Sequence, residues 1–291
     1  MILMKAKILA LAAALVIVAS GCTGQGGDDV IKQILKIDIV SGGVEDINIR
    51  AEMPEFARPN KDFNMHILVT PGVPINNLDI SFYDKCGGLF TAKDNDNFKE
   101  SFIESNRTKT YETTYTMGTT QVDKCTVRFK TSYTSNMTLS QGVIVLTETE
   151  WFEREQKGTR TDITAAVYST TNPLRITTSF SQGQPLIEQA TVKMYLDYSD
   201  AGTGVIRNLK AGDVKIKLPG NLELISCDDY KSEGGFLVLN KEKIFINKKT
   251  SRSTCEFKTK ASQAIDSRPV FVEAIYGYEI DSSFDVNILK V

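Results

Sequence analysis

The chain has 291 residues, with 34 basic and 36 acidic side chains and a formal net charge of −2. This balance excludes the basic surplus that is typical of nucleic-acid-binding proteins, so nucleic acid is not an expected partner. The length is sufficient for two β domains, and the hydrophobic content of 41% is ordinary for a globular chain.

The first residues have the order of a secretory signal peptide. Lys5 and Lys7 precede an uncharged apolar run at residues 8–18, and small residues then lead to Cys22. The run is short for a spanning helix, which needs roughly 20 apolar residues. We therefore predict export and a signal peptide at residues 1–22, with an uncleaved signal anchor as the alternative.

The end of this segment, Val18-Ala19-Ser20-Gly21-Cys22, resembles the lipobox of prokaryotic lipoproteins. The resemblance implies that the thiol of Cys22 is lipidated after the signal peptide is removed, although Ala19 stands where a larger aliphatic residue is usual. Residues 23–37 are predicted to be a Gly-rich flexible tether followed by a short helix near residues 30–37. The expected location is the extracytoplasmic face of the cell membrane, with a lipid or signal anchor.

The cysteine count agrees with export. There are five cysteines, and lipidation of Cys22 would leave four for disulfide bonds. Four cysteines allow three connectivities, of which we expect the local one, Cys86–Cys125 and Cys227–Cys255. Each closed loop would stabilise the fold by on the order of 3–4 kcal/mol. No two cysteines are close enough for a CxxC metal site, so no metal is expected.

Strand-like alternation of apolar and polar residues dominates the rest of the chain. It is clearest over residues 47–53, 63–69, 190–196, 214–218 and 284–288. The cysteine-containing stretches 124–131 and 254–259 are also similar to each other. We therefore predict an all-β fold of two tandem antiparallel, immunoglobulin-like β-sandwiches at 38–155 and 173–291, joined by a connector at 156–172.

The lipobox-like residues 19–22, the strand at 63–69 that leads into Pro71-Gly72, and the strand at 79–83 carry a family resemblance. Together they resemble prokaryotic, and especially archaeal, cell-surface lipoproteins with immunoglobulin-like or CARDB-like β-sandwich domains. The resemblance implies adhesion, envelope scaffolding or presentation of other modules, and no chemistry. The tryptophan of antibody-type domains is missing between the paired cysteines.

The sequence nominates no catalytic centre. The single histidine, His66, lies on the polar face of a predicted strand, so no triad or metal site can be built from several histidines. No enzyme activity and no cofactor are expected. The best carboxylate candidates, residues 94–97 and Asp228-Asp229, are expected to face solvent and to lie apart. A carboxylate-dependent hydrolase would need two carboxylates in one cleft.

Two kinds of surface site remain as candidates. Asn106 and Asn136 begin Asn-x-Thr sequons and are candidate glycosylation sites. Tyr111 and Tyr115 share one face of a Thr-rich strand and form a candidate binding surface. The alternative is that these tyrosines cover the edge of the sandwich.

These features predict a membrane-anchored extracytoplasmic structural or interaction protein that scaffolds the envelope or binds a surface partner. The expected partners are the membrane, through the N-terminus, and another surface protein or a glycan. The alternatives are a secreted carboxylate-dependent hydrolase and a subunit of a surface filament or layer. A hydrolase would show a cleft with convergent ionisable groups, whereas an interaction protein would show an exposed edge or aromatic patch.

Overall fold

The computed structural model describes residues 34–40 and 46–289. Cys22, the predicted signal peptide and the predicted tether up to residue 33 lie outside the described residues. The all-β prediction is confirmed, because the described chain is built almost entirely from antiparallel sheets that pack as β-sandwiches. None of the helices in the described ranges has the length and apolarity that a membrane crossing requires.

The described residues form twenty strands, one α-helix and a 3-10 turn. In chain order they are β1 (Ile34–Val40), β2 (Ile47–Pro54), β3 (Phe56–Ala57), β4 (Asp62–Pro71), β5 (Ile75–Lys85), β6 (Phe90–Ala92), β7 (Asn97–Ile103), β8 (Lys109–Met117), β9 (Lys124–Leu146), α1 (Glu148–Lys157), the 3-10 turn (Arg160–Asp162), β10 (Val167–Ser169), β11 (Leu174–Phe180), β12 (Leu186–Ile187), β13 (Thr191–Asp200), β14 (Val205–Ile206), β15 (Val214–Lys217), β16 (Leu222–Cys227), β17 (Tyr230–Glu233), β18 (Phe236–Leu239), β19 (Ser253–Thr259) and β20 (Ile265–Ile288).

These strands make three sheets. The amino-terminal sheet has the order β1-β2-β4-β8-β6, and the carboxy-terminal sheet has the order β11-β13-β19-β16. The largest, which we call the shared sheet, follows β17-β18-β15-β20-β9-β5-β7, with four short strands paired alongside β9 and β20. All five stretches in which the sequence alternates form strands, because one apolar face per strand is buried.

The two long strands β9 and β20 run through both halves of the molecule. They pair antiparallel without interruption from Lys124 opposite Asn287 to Leu146 opposite Ile265. Strand β5 pairs with the first part of β9, and β15 pairs with the first part of β20. The last strand therefore passes through the second sandwich and ends in the first.

This shared pairing bears on the predicted domains at 38–155 and 173–291. The described residues form one compact unit. Strand β20 belongs to the predicted second domain, but it is paired along its length with β9, which belongs to the predicted first domain. The domain boundaries stay a prediction. The two sandwiches share one sheet.

Both smaller sheets cover the same face of the shared sheet. On β9 the odd-numbered residues from Val127 to Leu139 point inward, and on β20 the even-numbered residues from Val270 to Tyr278 do so. Tyr115 of the amino-terminal sheet contacts Phe82 of β5, and Tyr198 of the carboxy-terminal sheet hydrogen-bonds Tyr230 of β17. The sandwiches therefore lie side by side.

Several buried polar side chains are hydrogen-bonded near the middle of these long strands. The hydroxyl of Tyr276 donates to Asp46 at 2.9 Å, and the amide of Asn172 donates to the backbone carbonyl of Asn136 at 2.8 Å. Burial, followed by the nearby charge of Asp46, raises the pKa of Tyr276 above its ordinary value. Asn172 thereby attaches the end of the predicted connector to the shared sheet.

Two local predictions need correction. The helix expected near residues 30–37 is wrong for the part described, because Ile34–Val40 forms strand β1 and pairs with β2. A segment rich in Ile and Val favours a strand when a sheet edge is available to pair with it. The helix that does form is α1, at Glu148–Lys157, and β10 lies inside the predicted connector.

The predicted disulfide pairing is confirmed. Cys86 is bonded to Cys125, and Cys227 is bonded to Cys255. Cys86 directly follows β5 and is bonded to Cys125 of the neighbouring strand β9, while Cys227 and Cys255 lie on the neighbouring strands β16 and β19. Neither bond crosses between the sheets of a sandwich. The disulfides therefore fix strand pairs, while side-chain packing holds the sheets together.

Candidate functional site

The outer face of the shared sheet, which the two smaller sheets leave uncovered, carries exposed aromatic residues next to lysines. Lys217 lies directly opposite Phe271, and Lys215 lies opposite Glu273. Their strand neighbours Ile216 and Val272 are buried. Because side chains alternate along a strand, the lysines and Phe271 point away from the core.

The outward-facing aromatic and lysine side chains extend across five neighbouring strands, β18, β15, β20, β9 and β10. Phe271 is 45% exposed and lies opposite Ser140 of β9, which in turn lies opposite Tyr168 of β10, 69% exposed. On the other side, Phe236 of β18 is 36% exposed. Neighbouring strands are about 4.8 Å apart, so Phe271 and Tyr168 are separated by about 10 Å. We call Phe236, Phe271, Tyr168, Lys215 and Lys217 the aromatic–lysine face.

Local sequence explains why these side chains face outward. The segment Val214–Lys217 alternates an apolar with a basic residue, so its basic side chains share one face. Gly234 and Gly235 both have positive φ, 59° and 84°, and turn the chain from β17 into β18. Such turns favour glycine because other residues are strained there, and this turn places Phe236 at the start of its strand.

The charged groups that line the cavity of this face are Lys215, Lys217 and Glu273. Neither Lys215 nor Lys217 forms an ion pair with another residue in the described part of the chain. A shallow cavity of about 260 Å³ is lined by both lysines, Phe236, Phe271 and Glu273. Exposed aromatics with unpaired cations suit an apolar group that carries negative charge nearby.

The predicted binding surface at Tyr111 and Tyr115 is wrong. Tyr115 is only 1% exposed and lies among Phe63, Phe82 and Phe90 of the core. Tyr111 is half-buried and stacks on Phe98 with ring centroids 5.1 Å apart. Burial, followed by the charge of Glu100, raises the pKa of Tyr111 to about 12. The physical reason is that β8 lies inside the amino-terminal sheet, where one face must be buried.

The two loops that carry the carboxylate candidates, residues 94–97 and 228–229, form separate ion pairs. Asp96 forms an ion pair with Lys85 at 2.7 Å, and Asp229 forms one with Lys243 at 2.6 Å. Both carboxylates are mostly buried, so the expectation that they face solvent holds only for Asp94 and Asp228. No hydrogen bond or ion pair joins the two loops within the described ranges. Asp96 is instead paired with Lys85, and Asp229 with both Lys243 and Lys241.

The pair at Asp229 is the most buried ion pair of the second sandwich. The side chain of Lys243 is 2% exposed and also donates to the carbonyl and the hydroxyl of Ser251. Burial acts to raise the pKa of Asp229, but hydrogen bonds from Lys243 and Ser253 outweigh it and hold the pKa below its ordinary value. The geometry is that of a satisfied structural ion pair.

The remaining candidates lie apart from one another. His66 is half-buried on β4, opposite Glu52 and Glu112 in register. Asn106 and Asn136 are both exposed, so the sequons are accessible. Within residues 34–40 and 46–289, no group of three His, Cys, Asp or Glu side chains is placed to hold a metal ion.

Comparison with known proteins gives little further guidance. No family model matches the sequence, and no curated protein matches it. Among solved structures, the chain is similar to the secreted serine protease VesC from Vibrio cholerae, with 11% identity and a TM-score of 0.19; the match covers 77% of this chain and 48% of VesC. A second structure, pT26-6p, has 8% identity and a TM-score of 0.22, covering 89% of this chain and 66% of pT26-6p. The chain spans about half of VesC and about two thirds of pT26-6p, and scores this low carry no functional argument.

Proposed function

We propose that this chain is a membrane-anchored extracytoplasmic structural or interaction protein that binds a surface partner. The observation that carries the proposal is the aromatic–lysine face. Phe236, Phe271 and Tyr168 are exposed on one face of the shared sheet, where much of their apolar surface meets water. Exposed clusters of this kind are typical of interaction surfaces.

The two disulfide bonds support the location. Disulfides persist in oxidising compartments outside the cytoplasm, and both bonds of this chain lie inside sheets that they stabilise. The shared sheet supports a structural role, because β9 and β20 couple the two sandwiches by continuous backbone hydrogen bonds. A head of this kind holds its outer face rigid relative to both sandwiches.

Cys22 is the proposed point of attachment. Replacing Cys22→Ser should release the protein from the membrane fraction or leave an unprocessed precursor, because no thiol remains to be lipidated. The measurement is cell fractionation together with the intact mass of the protein. Full membrane retention of Cys22→Ser, at an unchanged mass, would show that the apolar segment itself is the anchor.

Binding at the face is tested separately. Phe271→Asp should abolish co-purification of the native partner from solubilised membranes, since a charge replaces an exposed aromatic at the centre of the face. Phe102→Asp is the matched control, because Phe102 is similarly exposed on the edge strand β7. Equal partner recovery with both variants would overturn the assignment of the face.

A further inference from the structure

Helix α1 has well-formed ends but packs weakly on its own chain. The side chain of Thr147 accepts a hydrogen bond from the backbone N–H of Glu150, and Gly158 ends the helix in the left-handed region with φ of 68°. No residue of the helix is buried. Helices of about ten residues are marginal in water without tertiary packing. This helix therefore exposes a face that its own chain does not cover.

The outward face of the helix is an aromatic side chain between carboxylates. Phe152 is 57% exposed. Glu148 and Glu155 lie four residues before it and three residues after it, which places them on the same side of the helix. Glu148 forms no ion pair with any residue in the described ranges. The helix contains Glu148, Glu150, Glu153, Glu155, Arg154 and Lys157, so its side-chain charge is 2 − 4 = −2.

The aromatic–lysine face presents the complement of this arrangement. Its cavity of about 260 Å³ is lined by Phe236, Phe271, Lys215, Lys217 and Glu273. An aromatic ring placed there would contact two phenylalanines. The carboxylate of Glu148, on one side of that ring, would meet the two lysines that lack an ion-pair partner within the described residues. Glu155, on the other side, is already paired with Arg160 at 3.1 Å.

The helix does not lie against this face in its own chain. Within the described ranges, its main packing contacts are with β9 and the following 3-10 turn. It begins just after Leu146, which lies opposite Ile265, and Phe271 is six residues further along β20. Six residues of a strand span about 20 Å. We therefore infer that a contact between the two surfaces joins two molecules.

We propose that the aromatic–lysine face binds helix α1 of a second copy of this chain, with Phe152 seated against Phe236 and Phe271. The inference deepens the proposed function, on which it rests, by naming the surface partner. The two surfaces are different, so each copy uses its helix on one neighbour and its face on another. Such heterologous contacts produce open chains or rings, here among molecules anchored to one membrane.

The head-to-tail geometry makes a mixing experiment decisive. In full-length protein held in mild detergent, Phe152→Asp removes the helix contact and Phe271→Asp removes the face contact. Each variant alone should sediment as a monomer, whereas an equimolar mixture should form dimers and nothing larger, because one intact helix and one intact face remain. Wild-type protein and the control Phe102→Asp should form larger assemblies.

Each alternative outcome overturns the proposal. Wild-type protein that stays monomeric, single variants that assemble like wild type, or a mixture without dimers would all contradict it. All three positions are exposed, so unchanged thermal unfolding confirms that the variants are folded. Loss of assembly in the Phe102→Asp control would also contradict it, since Phe102 lies outside both surfaces.

A photocrosslinking experiment in native membranes tests the contact without detergent. A photoreactive phenylalanine analogue at position 152 should crosslink to peptides from β15, β18 or β20 of another copy, and the same analogue at position 102 should not. Crosslinks from position 152 to lipid, to a different protein or to another part of the chain would overturn the proposal. The Cys22→Ser fractionation is unaffected by this result, so failure of the anchor and failure of the contact are distinguishable.

Discussion

The two sandwiches share strands β9 and β20 but fill their interiors with different chemistry. The first is packed around aromatic rings: Phe82 lies 5.2 Å from Phe129, and Phe63 lies 5.0 Å from Phe90, between centroids. The second contains a buried Lys243–Asp229 pair next to the hydrogen-bonded Tyr198 and Tyr230. The two sandwiches therefore have the shared sheet in common, whereas the residues that fill each interior differ with the sheet that covers it.

The difference also predicts how each half responds to change. Aromatic packing depends on volume and is insensitive to pH, because no charge is involved. A buried ion pair contributes only while both partners are present and charged. The predictions below separate these two behaviours, in order of expected effect on the free energy of unfolding.

Removal of a shared aromatic should have the largest effect. Phe129 is fully buried on β9 and contacts both Phe82 and Phe284. We expect Phe129→Ala to cost about 3–5 kcal/mol, because a large cavity replaces the ring. Denaturant unfolding measures the cost, and hydrogen exchange should show both sandwiches losing protection, since β9 belongs to both.

The control for this prediction is Phe102→Ala. Phe102 is exposed, so its truncation should change the free energy of unfolding by no more than about 0.5 kcal/mol. Faster exchange confined to the first sandwich in Phe129→Ala would show that the shared strands do not couple the halves.

The disulfides should contribute similar amounts to the two unlike halves. The bonded cysteines are 39 and 28 residues apart. Loop-closure entropy gives about 4 and about 3.5 kcal/mol for removing Cys86–Cys125 and Cys227–Cys255 as alanine pairs. Urea unfolding of the two double variants measures these values. A difference above about 2 kcal/mol would show that core chemistry, and not loop length, decides the contribution.

Breaking the buried ion pair should affect the second sandwich. We expect Lys243→Met to cost about 2–3 kcal/mol, below the usual cost of a broken buried pair because Lys241 also lies 3.4 Å from Asp229. Replacing both partners, as Lys243→Met with Asp229→Leu, should be less destabilising than the single change. Lys241→Met, at an exposed lysine, should cost at most about 1 kcal/mol. A double variant that is less stable to unfolding than Lys243→Met alone would contradict the ion-pair interpretation.

The smallest expected effect is the loss of this pair's contribution to stability as the pH falls. The pKa of Asp229 is below its ordinary value in the folded chain, so its contribution is fully present above the unfolded pKa of about 3.9. It is lost as pH falls through the folded pKa. The stability difference between wild type and Asp229→Asn should therefore be constant above about pH 5 and shrink in more acid solution. A difference that grows on acidification would reverse the assigned sign.

Sequence alone was sufficient for features that depend on local pattern. The alternation in Val214–Lys217 predicted both the strand and the outward lysines, because one strand face must be buried. The Cys86–Cys125 and Cys227–Cys255 pairs were predicted because this local connectivity keeps each bond inside one predicted domain. Helix α1 also had a readable signal, Thr147 three residues before Glu150, with Gly158 after the last basic residue, but the alternation on either side concealed it.

Tertiary structure alone decided which strands are neighbours and which faces are covered. Thr126 hydrogen-bonds Asp285 across 159 residues of sequence, and no local period specifies such a partner. The alternation of β8 could not show that Tyr115 faces inward, because that depends on the sheet packed above it. Phe271 is exposed although Val270 and Val272 beside it are buried, since only the inner face of the shared sheet is covered. The period of a strand shows that it has two faces, whereas long-range packing determines which of them meets water.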